Sequence, residues 1–561
     1  MESNKNLYFI VFLFLTGILV IGGISISNDL KNHHLNATKN TATSYAPIKS
    51  ASLSQNMNLS SSDGSFFGEN AGDSAGNAVT GGGDVNGDGY DDILIGAYNG
   101  AGKVYLIFGN ESSSFSPNLN LSNADITFYG ESPFDSAGIS VAVVGDVNND
   151  GYDDILIGAN SYDKGVADVG KVYLIFGKES SWPSPFNLSD ADASFYGEYY
   201  QDRLGVSLAG AGDVNNDGFD DILIGSNVND MGGDRAGKAY LIFGRNSPWK
   251  TDVNITNANA SFYGESSEDF AGYDLAGAGD VNNDGYDDIL IGAYGNDMGG
   301  SSAGKVYLIF GNESNTFSPN VNLTNIKHSF IGEASGDLAG FAVAGAGDVN
   351  KDGYADLLIG ARYNDEGADN SAGQTYLIFG NVSSTFKKNV DLGNVDASFI
   401  GEGANDQSGV SLSGAGDINK DGYADFLIGA QGNDDGLGDN TGKIYVIFGK
   451  KSNSFTRDRY LSDDDVSFIG EAPEDGAGGA IAIAGDVNGD GYDDILIGAE
   501  ANDYGGNNAG KAYLIFGEGQ DNNDLMQPYL YFILFGGIAA IALIGIIIVY
   551  RRKKKKKRQN R

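Results

Sequence analysis

A nine-residue acidic motif occurs seven times in this chain, first as Asp84-Val85-Asn86-Gly87-Asp88-Gly89-Tyr90-Asp91-Asp92. Oxygen-bearing side chains stand at positions 1, 3, 5 and 9 (Asp84, Asn86, Asp88, Asp92). With the main-chain carbonyl of Tyr90 at position 7 they make the hard oxygen shell that Ca2+ takes. Gly89 at position 6 permits the sharp turn that folds those oxygens inward. The same set recurs as Asp146, Asn148, Asp150, Tyr152 and Asp154; as Asp213, Asn215, Asp217, Phe219 and Asp221; and as Asp280, Asn282, Asp284, Tyr286 and Asp288. It continues with Asp348, Asn350, Asp352, Tyr354 and Asp356, then Asp417, Asn419, Asp421, Tyr423 and Asp425, and ends with Asp486, Asn488, Asp490, Tyr492 and Asp494. A lone copy would read equally well as an Asx and glycine turn. Seven copies with positions 1, 3, 5 and 9 intact predict up to seven Ca2+ ions. Lys351 and Lys420 fall at position 4, which needs no ligand, and Ala355 and Ala424 replace Asp at position 8, so the departures spare the ligand positions.

An EF-hand opens with the same spacing but needs an acidic ligand at position 12 between two helices. Position 12 here is Ile in every copy, from Ile95 to Ile497. Each loop leads instead into a short apolar run such as Asp-Ile-Leu-Ile-Gly-Ala, which reads as a buried strand.

The loops begin every 62–69 residues, the period of one structural unit stacked seven times. Each unit holds four strand-like pieces; in the second these are Val141–Val144, Asp154–Ile157, Lys171–Phe176 and Ala193–Gly197. One such sheet cannot bury both faces, so neighbours must pack around an axis, and the fold class is an all-β, seven-bladed propeller of four-stranded blades. The Ser/Thr-Phe-x-Gly-Glu strand first occurs at residues 65–69, before the first loop, and nothing like it follows the last Lys511–Phe516 strand. Blade 7 must therefore borrow the N-terminal copy, closing the ring by strand exchange and removing an exposed edge.

Cysteine is absent and there are three histidines, which excludes thiol chemistry, a disulfide framework and a histidine-rich zinc site. The net charge of −40 is reached despite the basic run Arg551–Arg561, so nucleic acid is not an expected partner and calcium would answer an electrostatic need. His328 stands where other repeats have Asp, Asn or Ala and reads as an isolated exposed histidine.

The ends predict a membrane protein. Residues 1–27 carry an apolar run from Leu7 to Ile24 and read as a signal peptide or N-terminal anchor, and residues 28–57 as a polar linker. The propeller is assigned to 58–519 and a short tether to 520–528. The uncharged segment 529–550 is long enough to cross a bilayer as a helix, and 551–561 form a basic cytoplasmic tail. The propeller is then extracellular. Asn-x-Ser/Thr sequons at Asn36, Asn58, Asn110, Asn120, Asn187, Asn254, Asn259, Asn312, Asn322 and Asn381 mark expected glycan acceptors.

The recurring frame, in the fourth repeat Phe262-Tyr263-Gly264-Glu265, Gly272, Gly279 to Asp288, Leu290-Ile291-Gly292-Ala293 and Gly304-Lys305-Val306-Tyr307, resembles the FG-GAP repeats of integrin α-subunits. The resemblance implies a seven-bladed propeller, calcium in the hairpin loops between first and second strands on the lower face, and partners on the upper face. It implies a cell-surface protein that binds an extracellular protein or glycan in adhesion or surface organisation, and no enzyme. The long polar loops opposite the calcium loops, such as Asn229–Asp234, are the expected ligand face. The resemblance does not extend to cysteine-bearing leg domains or to a Gly-Phe-Phe-Lys-Arg juxtamembrane sequence. Integrins surround the axis with aromatic residues that clasp a β-subunit; the corresponding residues here are Asn77, Ile139, Val206, Tyr273, Phe341, Val410 and Gly479, which argues against an integrin-type β-subunit partner. A structural coat unit is the alternative. An extracellular propeller enzyme is a weaker one, because the glycosyl-phosphatidylinositol phospholipase D family also carries FG-GAP repeats but needs a catalytic domain for which residues 28–57 are too few.

Overall fold

The apolar run after each loop is continuous because both of its faces are buried. In Asp92–Ala97, Ile93 and Ile95 point toward one neighbouring sheet, with Tyr105 and Ile107 of the next strand. Leu94 points the opposite way with Val104, Leu106 and Phe128. This alternation is the two-residue period of a strand, and it creates one apolar core in every gap between sheets, seven in all among the described residues.

The computed structural model describes residues 53–519, apart from 112–114, 166, 247, 314–315, 366–369, 436–437 and 465. Seven antiparallel sheets are arranged as the blades of a propeller. Blade 1 runs from its innermost strand Val79–Gly83 through Asp92–Ala97 and Lys103–Ile107 to its outer strand Ile126–Tyr129. The innermost strands of successive blades line the axis and approach so closely that a side chain would not fit. A methyl group on Gly277 would meet the carbonyl oxygen of Gly210, one blade back, at 2.6 Å.

The predicted closure is observed. Gly64–Phe67 pairs antiparallel with the third strand of blade 7, Gly64 opposite Leu514 and Phe67 opposite Lys511. The blades nevertheless carry five strands, not the expected four. In each long connection between third and outer strands a two-residue strand pairs in parallel with the outer strand of the preceding blade, as Phe186–Asn187 does with Phe128 and Tyr129. A single turn of 3-10 helix follows. The sequence gives little sign of these latches, because two residues cannot show a period. Met57–Asn58 is the latch on blade 6, where Met57 lies opposite Phe468. The polar linker expected up to residue 57 therefore ends earlier: the Asn56 N–H donates to Ser467 Oγ at 2.9 Å, and the Leu53 N–H donates to Glu518 at 2.6 Å.

The latches give the sequons a second physical reason. Asn58, Asn120, Asn254 and Asn322 cap the 3-10 turns by accepting a hydrogen bond from the N–H two residues on. Their Ser or Thr is the residue whose N–H is capped. At Asn58 and Asn254 the amide Nδ2 also donates to a main-chain carbonyl of the neighbouring blade, Gly470 and Gly197. His328 is half-buried, not exposed. It starts the outer strand of blade 4, its ring lies 4.5 Å from that of Phe310 and touches Phe386, and burial pulls its pKa down.

The signal segment, most of the linker, the tether, the spanning segment 529–550 and the basic tail lie outside the described residues. Among the described residues no helix is long and apolar enough to cross a membrane.

Deleting residues 57–67 removes the latch of blade 6 and the outer strand of blade 7, including Leu59 and Phe66, which are 0% and 1% exposed. The protein is expected to melt at lower temperature and to associate through the bared edge. Differential scanning calorimetry and size-exclusion chromatography check this, and an unchanged melting point with a monodisperse peak would contradict it.

Candidate metal centres

Each acidic loop joins the innermost and second strands of its blade, so all seven lie on one face of the ring. The position-9 aspartate anchors the loop. Asp92 is wholly buried; its Oδ2 accepts from the Val85 N–H at 3.0 Å and its Oδ1 from the Gly109 N–H at 2.8 Å. One carboxylate thus ties the start of the loop to the exit of the third strand. The same pair of bonds recurs at Asp154, Asp221, Asp288, Asp356, Asp425 and Asp494. Burial lifts the carboxyls of all seven to about 8, against the opposing pull of these N–H groups.

The position-1 aspartate shapes the turn. Asp84 Oδ1 accepts from the N–H of Asp88, and Oδ2 from that of Gly89 at 2.8 Å; Asp88 Oδ1 accepts from the N–H of Tyr90. These are the side-chain to backbone bonds of an Asx turn, and they leave further lone pairs on each carboxylate.

Whether the loops fit a cation is tested best at position 3. The Asn215 amide donates to Asp221 at 3.2 Å, which turns its carbonyl oxygen inward. That oxygen is buried and accepts no hydrogen bond, and the same holds for Asn282 and Asn350. A buried acceptor without a donor is costly unless something else satisfies it. In blades 6 and 7 the N–H groups of Asp421 and Asp490 fill this role for Asn419 and Asn488. Among the described residues no three carboxylates or imidazoles converge. The donor set is mixed: carboxylates at 1, 5 and 9, the amide oxygen at 3 and the main-chain oxygen at 7. Amide and carbonyl oxygens beside carboxylates are the donor types that Ca2+ takes, so the residues fit the ion by their chemistry, while the three carboxylates of a loop are not gathered into one cluster in this structure.

Two positions without a predicted ligand role link neighbouring loops. The position-8 aspartate reaches back: Asp153 Oδ2 accepts from the Asp84 N–H at 2.8 Å, and Asp220, Asp287, Asp493 and Asp91 do the same for Asp146, Asp213, Asp417 and Asp486. Ala355 and Ala424 cannot. Position 4 reaches forward, as where Asn216 Nδ2 donates to the Gly285 carbonyl at 3.0 Å. Their recurrence at fixed spacing was the only sequence signal for these links.

The opposite face is sewn by different bonds. The lysine that opens each third strand pairs with the glutamate after the preceding blade's outer strand. Lys238 Nζ lies 2.6 Å from Glu198, with side chains 1% and 4% exposed. Equivalent pairs join Lys103 to Glu69, Lys171 to Glu131, Lys305 to Glu265, Lys443 to Glu402 and Lys511 to Glu471; blade 5 has Gln374 in that place. In the long polar loops the asparagines are buried clasps, Asn229 bonding to Asp202 and Asn502 to Asp475. Exposed large apolar side chains also gather on this face: Phe134, Tyr199, Tyr200, Met231, Met298, Tyr363 and Tyr504. The seven residues from Asn77 to Gly479 expected around the axis do line a cavity there of about 510 Å³. Its aromatic lining is Tyr98 of blade 1 with Tyr273 and Phe341 of blades 4 and 5; Tyr294 packs against the last two, and Arg362 stacks on Phe341 at 4.2 Å.

The FG-GAP repeat family model matches residues 75–107, 137–175, 204–242, 271–309, 339–378, 408–447 and 477–515, each from just before an innermost strand through the acidic loop to the end of the third. The seven repeats are FG-GAP repeats. The FG-GAP segments are similar to curated integrin α chains. Integrin alpha pat-2 of Caenorhabditis elegans is 30% identical over 259 residues, 44% of this chain and 19% of that one. Integrin alpha-8 of Gallus gallus is 32% identical over 214 residues, 36% and 20% respectively. Integrin alpha-5 of Xenopus laevis is 30% identical over 271 residues, 47% and 23%. The similarity spans about a fifth of the length of these relatives.

Replacing Asp221 by Ala in calcium-free buffer strands the N–H groups of Val214 and Gly244, and is expected to cost about 2–6 kcal/mol, at about 1–3 for each unsatisfied buried group. Asp217→Ala, at the exposed position 5, is expected to cost less than about 1 kcal/mol under the same conditions. Urea unfolding midpoints in chelator measure both. Equal losses would mean that position 9 has no structural role of its own.

Proposed function

We propose that this FG-GAP propeller is the extracellular part of a single-pass cell-surface protein, loaded with Ca2+ and binding a protein or glycan partner in adhesion or surface organisation. The observation that carries the reading is one donor set repeated in seven loops on one face of a propeller whose relatives are named as integrin α-subunits. In each blade the aspartates at positions 1, 5 and 9, the asparagine at position 3 and the main-chain carbonyl at position 7 would hold the ion. Bound Ca2+ supplies charge neutralisation and a cross-link across the hairpin. The protein's part is to fix those oxygens: the position-9 carboxylate is held by two N–H groups, and the position-3 amide is aimed by its bond to that carboxylate.

The partner face is assigned to the side opposite the loops, which carries the exposed Phe134, Tyr199, Tyr200, Met231 and Met298. Exposed apolar groups rimmed by polar ones mark interaction surfaces. Binding, not catalysis, is the proposed activity, since the carboxylates that recur on both faces are committed to loop anchors, clasps and ion pairs. The spanning segment 529–550 and the basic tail 551–561 complete the proposed topology, with the C-terminus in the cytoplasm.

With free calcium at ten times the dissociation constant each site would contribute about 1.4 kcal/mol, and seven independent sites about 10. That is comparable with the whole stability of a domain, about 5–15 kcal/mol. Calorimetry of the detergent-solubilised full chain is therefore expected to show a large fall in melting temperature on chelation. An identical melting temperature with and without chelator would reduce the loops to ordinary turns. Capture of partners from cell extracts and a glycan panel, with and without calcium, tests the binding itself, and failure to capture any in calcium would refute it.

A further inference from the structure

We infer that the calcium sites are not equivalent, and that Lys351 and Lys420 make the sites of blades 6 and 7 weaker than those of blades 2 and 3. The inference rests on the calcium reading above.

Position 4 of each loop has a positive φ, from 53° at Asn216 to 75° at Gly87, and its side chain leans over the next loop of the ring. In blades 2, 3 and 4 that side chain is an asparagine, and the amides of Asn149, Asn216 and Asn283 donate to the carbonyls of Gly218, Gly285 and Gly353. The contact is neutral. In blades 7 and 1 the residue is Gly489 or Gly87, and the ring of Tyr90 or Tyr152 closes over it.

In blades 5 and 6 it is a lysine. The ammonium of Lys351 lies over the ring of Tyr423, 5.3 Å from its centroid, and that of Lys420 lies 5.2 Å from the centroid of Tyr492. Each ammonium also sits so close to position 6 of that next loop, Gly422 or Gly491, that a methyl group there would collide with Nζ. Tyr423 and Tyr492 are the residues whose main-chain carbonyls occupy position 7 of the donor sets. Neither lysine belongs to an ion pair among the described residues. Position 4 thus delivers a positive charge to loops 6 and 7 where, in blades 2, 3 and 4, it offers the next loop a neutral amide.

Position 8 adds no second difference at these two loops. Ala355 and Ala424 remove the carboxylate that would reach back to loops 4 and 5, whereas loops 6 and 7 keep theirs from Asp493 and Asp91. A unit charge about 6–8 Å from a divalent cation in a largely aqueous setting lowers affinity by roughly three- to tenfold. In the ion-free loop the same ammonium offsets repulsion between carboxylates. Blades 6 and 7 are also the two that the N-terminal segment completes, through Met57–Asn58 and Gly64–Phe67. Falling calcium would therefore unload first the sector where the ring is closed.

Hydrogen exchange of the detergent-solubilised full chain, read by mass spectrometry across buffered calcium concentrations, separates the loops by sequence. The protection midpoints of 417–425 and 486–494 are expected at roughly three- to tenfold higher calcium than those of 146–154 and 213–221. Lys351→Asn should bring the midpoint of 417–425 down toward that of blades 2 and 3 and leave 486–494 in place; Lys420→Asn should do the converse. Lys351→Arg, which keeps the charge, should leave both unmoved. Coincident midpoints in the unaltered protein, or midpoints indifferent to the asparagine variants, overturn the inference while leaving calcium binding intact. Loops with no response to calcium overturn the calcium reading and this inference together.

Discussion

The buried carboxylate at the end of each acidic loop is the constraint on which the rest depends. Asp92 and its six counterparts sit where the loop, the second strand and the exit of the third strand meet, and each accepts hydrogen bonds from two of the three. An aspartate at 0% exposure is expensive to bury. It persists because it satisfies two buried N–H groups at once and orients the asparagine amide beside it. Loop shape, strand register and the direction of the position-3 oxygen all follow from one side chain per blade.

From that anchor the ring is assembled by nearest-neighbour contacts. On the lower face, position 8 reaches back one blade and position 4 reaches forward one. On the upper face lysine–glutamate pairs and asparagine–aspartate clasps cross the same seams. The ion pairs are not strong evidence for net stability, since taking two charges out of water costs about what their attraction returns. Their role is to specify how neighbouring blades meet, because losing one partner would leave the other charged and buried. A ring with both faces cross-linked has no free seam except at the ends of the chain, and there the N-terminal segment supplies the missing strands.

The acidic loops, the blade count and the borrowed strand were legible in the sequence, each because it repeats with a fixed spacing longer than chance. What repeats but is short or chemically ambiguous was not. The two-residue latch strands have no period to read. The capping role of Asn58, Asn120, Asn254 and Asn322 was hidden because a capping asparagine followed two residues on by serine or threonine spells the same three letters as a sequon. Asp153 and its equivalents at position 8 looked dispensable because Ala355 and Ala424 replace two of them, yet the other five hold a neighbouring loop. His328 was misplaced because a polar residue in a strand of Ala or Asp suggests solvent, whereas Phe310 and Phe386 cover it. The latches and the position-8 links depend on contacts between neighbouring blades, such as Phe186 with Phe128 and Asp417 with Asp493, which a local reading cannot supply.

The borrowed strand also sets an order of events during synthesis. Residues 57–67 are the first part of the propeller to leave the ribosome, but the blade 6 and blade 7 strands that they complete lie more than 400 residues downstream. At about 5–20 residues per second, that is a wait of roughly 20–90 s. Throughout it Leu59 has no core to enter, Phe66 meets only the blade 1 half of its core, and a strand edge with unmet backbone groups is exposed in a chain whose first blades are already able to fold. The nascent protein thus spends most of its translation as an open arc carrying an unsatisfied edge at each end, and only the last blade turns it into a ring.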